Sequence, residues 1–319
     1  MAASLQQPVP DLLLLMNWIT TEQNTERQLQ RLAAQRQLYA TAKKVFGFHV
    51  LLSGPLAVAS AFLALLFPST RSYVALWALA IVLCDVMWLT PWQKRLRESA
   101  ARIQELFDCD VLSLPWNDLK AGKRPEPELV KEQSAKYATW AEKMPPLTHW
   151  YPAETGELPL QIGRIVCQRS NCWWDSKQRR RYATAIIAVV FVVFFVVLML
   201  ALRNQFTLED FMLKVLAPLA PALLLGVRQY LDHIEAAARL DKLKDHAEKL
   251  WSEALSGGKS VAFLTTAARG LQDELLEGRR RSPLVLDTVF KWLRRDYETQ
   301  MNHGAAELVA EARKKLEAG

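Results

Sequence analysis

Asp85 lies inside an apolar run, between Ile81-Val82-Leu83-Cys84 and Val86-Met87-Trp88-Leu89. A carboxylate at that depth is costly, so it faces a pore, a partner or a bundle interior, or it is a protonated or hydrogen-bonded acid that holds helices together. Pro218 and Pro221 sit in a later apolar run, where a missing backbone donor lets a helix bend. A third group is cationic and aromatic. Arg169, Asn171, Trp173 and Trp174 follow Trp116 and Trp150 in a Pro-rich stretch, and Arg279, Arg280 and Arg281 form a second basic run. Guanidinium groups hold anions and indole faces stack on flat rings. An irregular segment rich in both suits a ligand better than a regular helix does. Each group also has a structural reading. The tryptophans could fill a small core, Arg169 and Asn171 could tie loops together, and the 279–281 run could be a solvated turn.

Other chemistry fails on spacing. Ser256-Gly257-Gly258-Lys259-Ser260 has the end of a phosphate loop, but Glu253 stands where the first glycine is required. Cys167 and Cys172 lack a second pair of ligands at zinc spacing, so no metal is expected. No HExxH or GxSxG occurs, and the five histidines are scattered. The sequence offers no catalytic residues, and no cofactor is expected.

The elements that position these residues divide sharply by polarity. Mean hydropathy is about zero and the net charge is +7. That average conceals four apolar blocks, about 46–67, 72–92, 182–202 and 211–230, each near the roughly 20 residues that span a bilayer. Gly54-Pro55 predicts a kink in the first block, and 186–200 holds no polar residue. Lys214 lies near one end of the fourth and can snorkel. His49 is close to the inner interface, a structural position. The expected fold is an all-α membrane protein, with four transmembrane helices in two hairpins and a mostly helical cytoplasmic domain. That domain is built from the N-terminus, the 93–181 loop and the C-terminal helices.

Orientation follows from Lys and Arg. Arg27, Arg31, Arg36, Lys43 and Lys44 precede the first span. Lys94, Arg95 and Arg97 follow the second, Arg179, Arg180 and Arg181 precede the third, and Arg228 and Arg239 lie at and beyond the inner end of the fourth. The two short loops hold only Arg71 and Arg203. Both termini and the 93–181 loop are therefore expected in the cytoplasm. The excess charge reads as headgroup and topology signal, with no nucleic-acid polymer as partner. Four cysteines without a dense framework suit a reducing compartment. The apolar 12–16 run has no basic residues before it, so no cleavable leader is expected.

Within the cytoplasmic pieces, 1–45 reads as mostly helical, with capping-box spacing at Thr25 and Gln28. Residues 231–319 read as a run of helices. Leu240, Leu243, Ala247, Leu250 and Ala254 form a packing seam, Gly257-Gly258 stops that helix, one helix spans about 260–277, and Ser282-Pro283 caps another over about 283–299 before a short charged one. The 93–181 loop holds helical stretches at about 93–107 and 128–143, with irregular chain between and beyond them.

Several segments together resemble the SMODS-associated four-transmembrane effector family. They are Leu114-Pro115-Trp116-Asn117, Trp150-Tyr151-Pro152, Cys167-Gln168-Arg169-Ser170-Asn171-Cys172-Trp173-Trp174-Asp175 with Arg179-Arg180, and Leu32-Ala33-Ala34-Gln35-Arg36-Gln37-Leu38-Tyr39 before the first span. The resemblance covers nearly the whole chain. It implies a membrane effector of a bacterial cyclic-oligonucleotide antiphage (CBASS) system. There a nucleotidyltransferase related to cGAS makes a cyclic di- or trinucleotide, and the effector binds it and permeabilises the inner membrane, causing abortive infection. The expected ligand contacts are then Arg169, Asn171, Trp173, Trp174, Trp116, Arg279 and Arg280. Asp85, Pro218 and Pro221 are expected at the pore or gate of a homo-oligomer in contact with membrane lipid. The competing readings are a constitutive channel or small transporter without nucleotide, and a membrane-tethered scaffold.

Overall fold

Only Pro55 interrupts helical sequence between residues 26 and 66, and the chain absorbs it by widening one turn. Helix α2 (Glu26–Leu51) passes through a π-helical turn at Leu52–Leu56 into α3 (Ala57–Leu66). The wider turn tolerates the donor that proline lacks. The same device recurs in the next apolar stretch, where α4 (Arg71–Cys84) runs through a π turn at Asp85–Leu89 into α5 (Thr90–Val111). The computed structural model describes residues 17–318, and the 12–16 run lies outside them. All regular structure among the described residues is helical. Of the shorter helices, α1 (Ile19–Glu22) packs against α5, α6 (Asp118–Ala121) follows α5 in the chain, and α7 (Pro127–Ala138) lies along α2.

Helix α8 (Leu160–Arg203) has 44 residues, about 66 Å at 1.5 Å per residue. That is twice the ~30 Å of a bilayer core, so half of it stands outside the apolar zone. A short α9 (Leu208–Asp210), a third π turn at Phe211–Leu216 and α10 (Ala217–Leu255) return alongside α8. Pro218 falls in the first turn of α10 and Pro221 lies inside the helix. Two helices, Ser72–Val111 and Leu160–Arg203, are long and apolar enough to cross a membrane. Their apolar faces are bare: Leu79, Val82, Val189, Val192 and Met199 are each more than half exposed.

The core lies at the other end. Ile162, Ile165 and Val166 of α8 pack with Ala247, Leu250 and Ala254 of α10, with Leu264 and Leu271 of α11 (Val261–Arg281), and with Ala305 and Val309 of α12 (Asp287–Ala318). The 240–254 seam is thus buried inside its own chain. A second cluster joins Ile19, Leu32, Phe107, Tyr151 and Cys167. All four cysteines are free.

Four local expectations change. Thr25 is the N-cap of α2, but its hydroxyl donates back to Glu22 O (2.9 Å) and Gln28 donates to Glu22 Oε1 (2.7 Å), so no capping box forms. Ser282 closes α11 rather than opening a helix, because the ring of Pro283 disfavours helical backbone before it. The last two expected helices are one, α12, since no proline follows Pro283. The 167–175 stretch, expected to be irregular, lies on α8; the chain turns helical at Pro159, which sits at its N-cap.

Gly163 sits where α8 meets the N-terminal segment. A Cβ there would come within 2.7 Å of Asn17 Nδ2 and 2.9 Å of Thr155 O. Asn17 Nδ2 donates to Thr155 O (2.6 Å) and Leu158 O (2.8 Å), so neither can retreat freely. Gly163→Ala is expected to destabilise the helical domain outside the apolar blocks by about 1–3 kcal/mol. A lowered thermal midpoint in circular dichroism checks this, and an unchanged midpoint contradicts it.

A cationic tryptophan cavity as the candidate functional site

Helix α2 turns one face toward α8 just before its apolar part, and positions 35, 36, 39 and 43 on that face carry Gln, Arg, Tyr and Lys. On α8, Asn171, Trp174, Asp175 and Gln178 recur at the i, i+3, i+4, i+7 spacing of one helix face. These faces enclose a cavity of about 230 Å³, closed by Trp140 and Trp150 from the 139–159 segment, Arg279 from α11, and Ser282 to Val285 between α11 and α12. Four cations line it, Arg36, Lys43, Arg179 and Arg279, against one carboxylate, Asp175.

Each wall is held by a specific contact. Arg36 donates to Pro145 O (2.9 Å) and Tyr137 Oη (3.3 Å), and the Trp140 indole donates to Gln37 Oε1 (2.7 Å), which clips the 139–159 segment to α2. Arg179 pairs with Asp175 (3.0 Å) and donates to Pro283 O (2.8 Å), while Arg97 donates to Ser282 O (3.1 Å). Burial pushes the Tyr39 hydroxyl up to about 12, so it remains a neutral donor. Among the described residues the buried Nε1 of Trp150 has no partner.

Below the cavity lies a buried polar network. Asn171 Nδ2 donates to Tyr151 Oη (3.3 Å), and Tyr151 donates to Asp108 Oδ1 (2.6 Å). Asp108 also accepts from Arg279 (2.5 Å) and Gln272 (2.8 Å), and Glu105 accepts from Arg269 (2.5 Å) and Gln272 (2.9 Å). Burial opposes the charge on Arg279, yet the facing Asp108 and Glu105 hold its pKa above the ordinary arginine value.

The structure brings Asn171, Trp174 and Arg279 together at this cavity and leaves the other expected contacts outside it. Arg169 forks onto Glu248 of α10, with Nε at 3.1 Å and Nη2 at 3.0 Å. Trp173 packs edge-on against Tyr297 (6.2 Å), which also meets Trp174 (6.1 Å). Trp116 donates to Gly122 O (2.8 Å) and carries Arg124 over its ring (5.8 Å). Arg280 pairs with Glu98 (2.7 Å) and donates to Lys120 O (2.6 Å). Sequence reasoning missed the α2 contribution, Trp140, and Arg179 as a cavity cation. The signal was present as polar and aromatic residues at 35, 39 and 43, spaced by four.

Asp85 stands apart, at the start of its π turn. Its Oδ1 lies 2.6 Å from His49 Nδ1 and accepts from Thr90 Oγ1 (2.9 Å). His49 therefore joins the acid as a cross-helix polar pair. No group of three or more His, Cys, Asp or Glu among the described residues is arranged to hold a metal ion.

Comparison with known proteins supplies a context. The family model described as the SMODS-associating 4TM effector domain matches residues 17–308. A Bacillus cereus (strain VD146) protein described as a probable CBASS effector molecule is 24% identical over 294 residues, covering 88% of this chain and 94% of its own. No solved structure matches the chain.

Proposed function

Since the chain belongs to the SMODS-associating 4TM effector family, we propose that it is a CBASS membrane effector whose cytoplasmic cavity binds a cyclic di- or trinucleotide and whose four spans then permeabilise the inner membrane. The observation that carries the reading is the cavity itself, where four cations and three tryptophans face one space. A cyclic oligonucleotide presents phosphates to the cations and flat bases to the indoles. The messenger comes from a cGAS-like synthase. The family is an effector family, and the cavity is a binding site rather than a catalytic one.

The cavity's place in the fold supports a route to the membrane. Helices α2 and α8 leave it and enter the first and third apolar blocks without a loop between. A phosphate held by Arg179 competes with Asp175 and with the Pro283 carbonyl for the same guanidinium, loosening one wall while drawing α2 and α8 together. The ligand shifts the equilibrium only by its differential affinity for the two states. In the proposed topology all four apolar blocks cross as two hairpins, with both termini inside. One His49–Asp85 pair is too little to line a conducting path within a subunit, so the active form is a homo-oligomer. Its contacts run through the spans, because the 240–254 seam is already occupied.

Co-expression with an active synthase tests this. The wild type is expected to collapse membrane potential and colony survival. Asp85→Leu is expected to keep nucleotide binding within about threefold, below ~0.7 kcal/mol, while losing toxicity. Killing that persists without a synthase points to a constitutive channel. Undiminished killing by Asp85→Leu removes Asp85 from the opening mechanism.

A further inference from the structure

A second cavity, of about 570 Å³, lies beside the first and shares Pro283 and Leu284 with it. It opens between the end of α2, the start of α5 and the middle of α10, at the foot of the apolar zone. Three of its cations, Lys94, Arg97 and Arg228, have no carboxylate partner among the described residues, whereas its Arg239 and Arg281 are paired with Glu235 and Glu277. Of its acids, Asp85 is engaged by His49 and Glu235 by Arg239, which leaves Asp232 against three unpaired cations. Burial lowers the pKa of Arg97, and the neighbouring Arg179 adds to that shift.

The surface around this cavity says what kind of anion fits. Trp88 and Trp92 are 61% and 52% exposed on the α5 side, the level at which indoles meet lipid headgroups. Val86 and Met87 on that side, and Leu224 on the α10 side, are each more than half exposed. A cationic hollow bordered by bare apolar helix suits one phosphate joined to acyl chains.

We propose that this groove binds the phosphate headgroup of an anionic phospholipid, held by Lys94, Arg97 and Arg228, with its chains along the exposed apolar residues beside it. The site is separate from the nucleotide cavity and needs only that the apolar helices lie in a membrane. Through Arg97, which also holds the Ser282 carbonyl, the bound lipid steadies the segment that walls both cavities.

The test uses the purified full-length protein in neutral detergent, titrated with phosphatidylglycerol, phosphatidylcholine or inorganic phosphate while thermal unfolding is followed. Phosphatidylglycerol is expected to raise the midpoint by several degrees more than phosphatidylcholine, with inorganic phosphate at equal concentration without effect. Lys94 and Arg228 are exposed, so the K94Q/R228Q variant is expected to keep the lipid-free midpoint. It should require roughly tenfold or more phosphatidylglycerol for half the gain, from two lost cations. An equal response to both lipids, a variant that responds like the wild type, or a full gain from inorganic phosphate each overturns the proposal. A cyclic-nucleotide titration on the same samples keeps this result distinct from failure of the nucleotide reading.

Discussion

Arg279→Ala is expected to unfold the polar, helical half of the protein under conditions where the wild type stays intact. Its side chain is 12% exposed and faces Asp108 and Glu105, which are 0% and 1% exposed. Arg269 and Gln272 already serve Glu105, and Tyr151 and Gln272 already serve Asp108. None of these replaces the cation that neutralises Asp108. Removing one member of a buried pair typically costs about 3–5 kcal/mol, because the remaining charge stays desolvated. Set against the ~5–15 kcal/mol that holds most domains together, this is a large fraction. Arg279→Lys restores charge but not the reach and planar shape of the guanidinium, and is expected to recover only part of the loss. Arg281, 73% exposed on the same helix, is the control, with Arg281→Ala within about 0.5 kcal/mol of the wild type. Thermal or urea unfolding in detergent reads all three, and equal stability of the Arg279→Ala and Arg281→Ala proteins contradicts the account. Loss of nucleotide binding by Arg279→Ala would therefore report unfolding, and this residue cannot by itself locate the ligand.

Binding is better probed at Trp174 and Lys43, which line the cavity without belonging to the buried network. Losing one base stack costs about 1–3 kcal/mol, so Trp174→Ala is expected to weaken cyclic-nucleotide affinity roughly 5- to 150-fold. Lys43→Gln removes a charge opposite phosphate, worth about 1.5–3 kcal/mol, or more than tenfold. Both variants are expected to insert in the membrane and melt near the wild type. Arg169→Ala is the informative contrast. It breaks the fork to Glu248 and leaves affinity unchanged, since Arg169 lies outside the cavity. A variant set in which Arg169→Ala loses binding and Trp174→Ala keeps it would move the site to the α8–α10 face.

The apolar blocks and the all-helical architecture were legible because length and composition alone carry them. The irregularity at Gly54-Pro55 was legible too: a π turn stands where a kink was expected. The site was legible only in part. Asn171, Trp174 and Arg279 stood out as residue types, but Trp173 stands next to Trp174 and falls outside the cavity, and spacing without a helix register cannot separate neighbours. That register was hidden because 160–181 was read with the irregular, Pro-rich chain before it, while α8 absorbs it as a continuation of the third apolar block. Arg169 and Arg280 look like phosphate ligands in sequence, and acids 79 positions later and on another helix claim them. Ion pairs between distant segments leave no local trace. The α2 face was missed for the opposite reason, since Gln35, Tyr39 and Lys43 are ordinary residues for any half-buried helix.

The central claim is that the cavity between α2, α8 and α11 holds the messenger. Isothermal titration of the full-length protein in detergent with a panel of cyclic di- and trinucleotides tests it most directly. The account predicts saturable binding of at least one member of the panel by the wild type, weakened at least fivefold by Trp174→Ala and unchanged by Arg169→Ala. Saturable binding with the same affinity in the wild type and in Trp174→Ala, or no binding of any cyclic nucleotide by the intact protein, would contradict it.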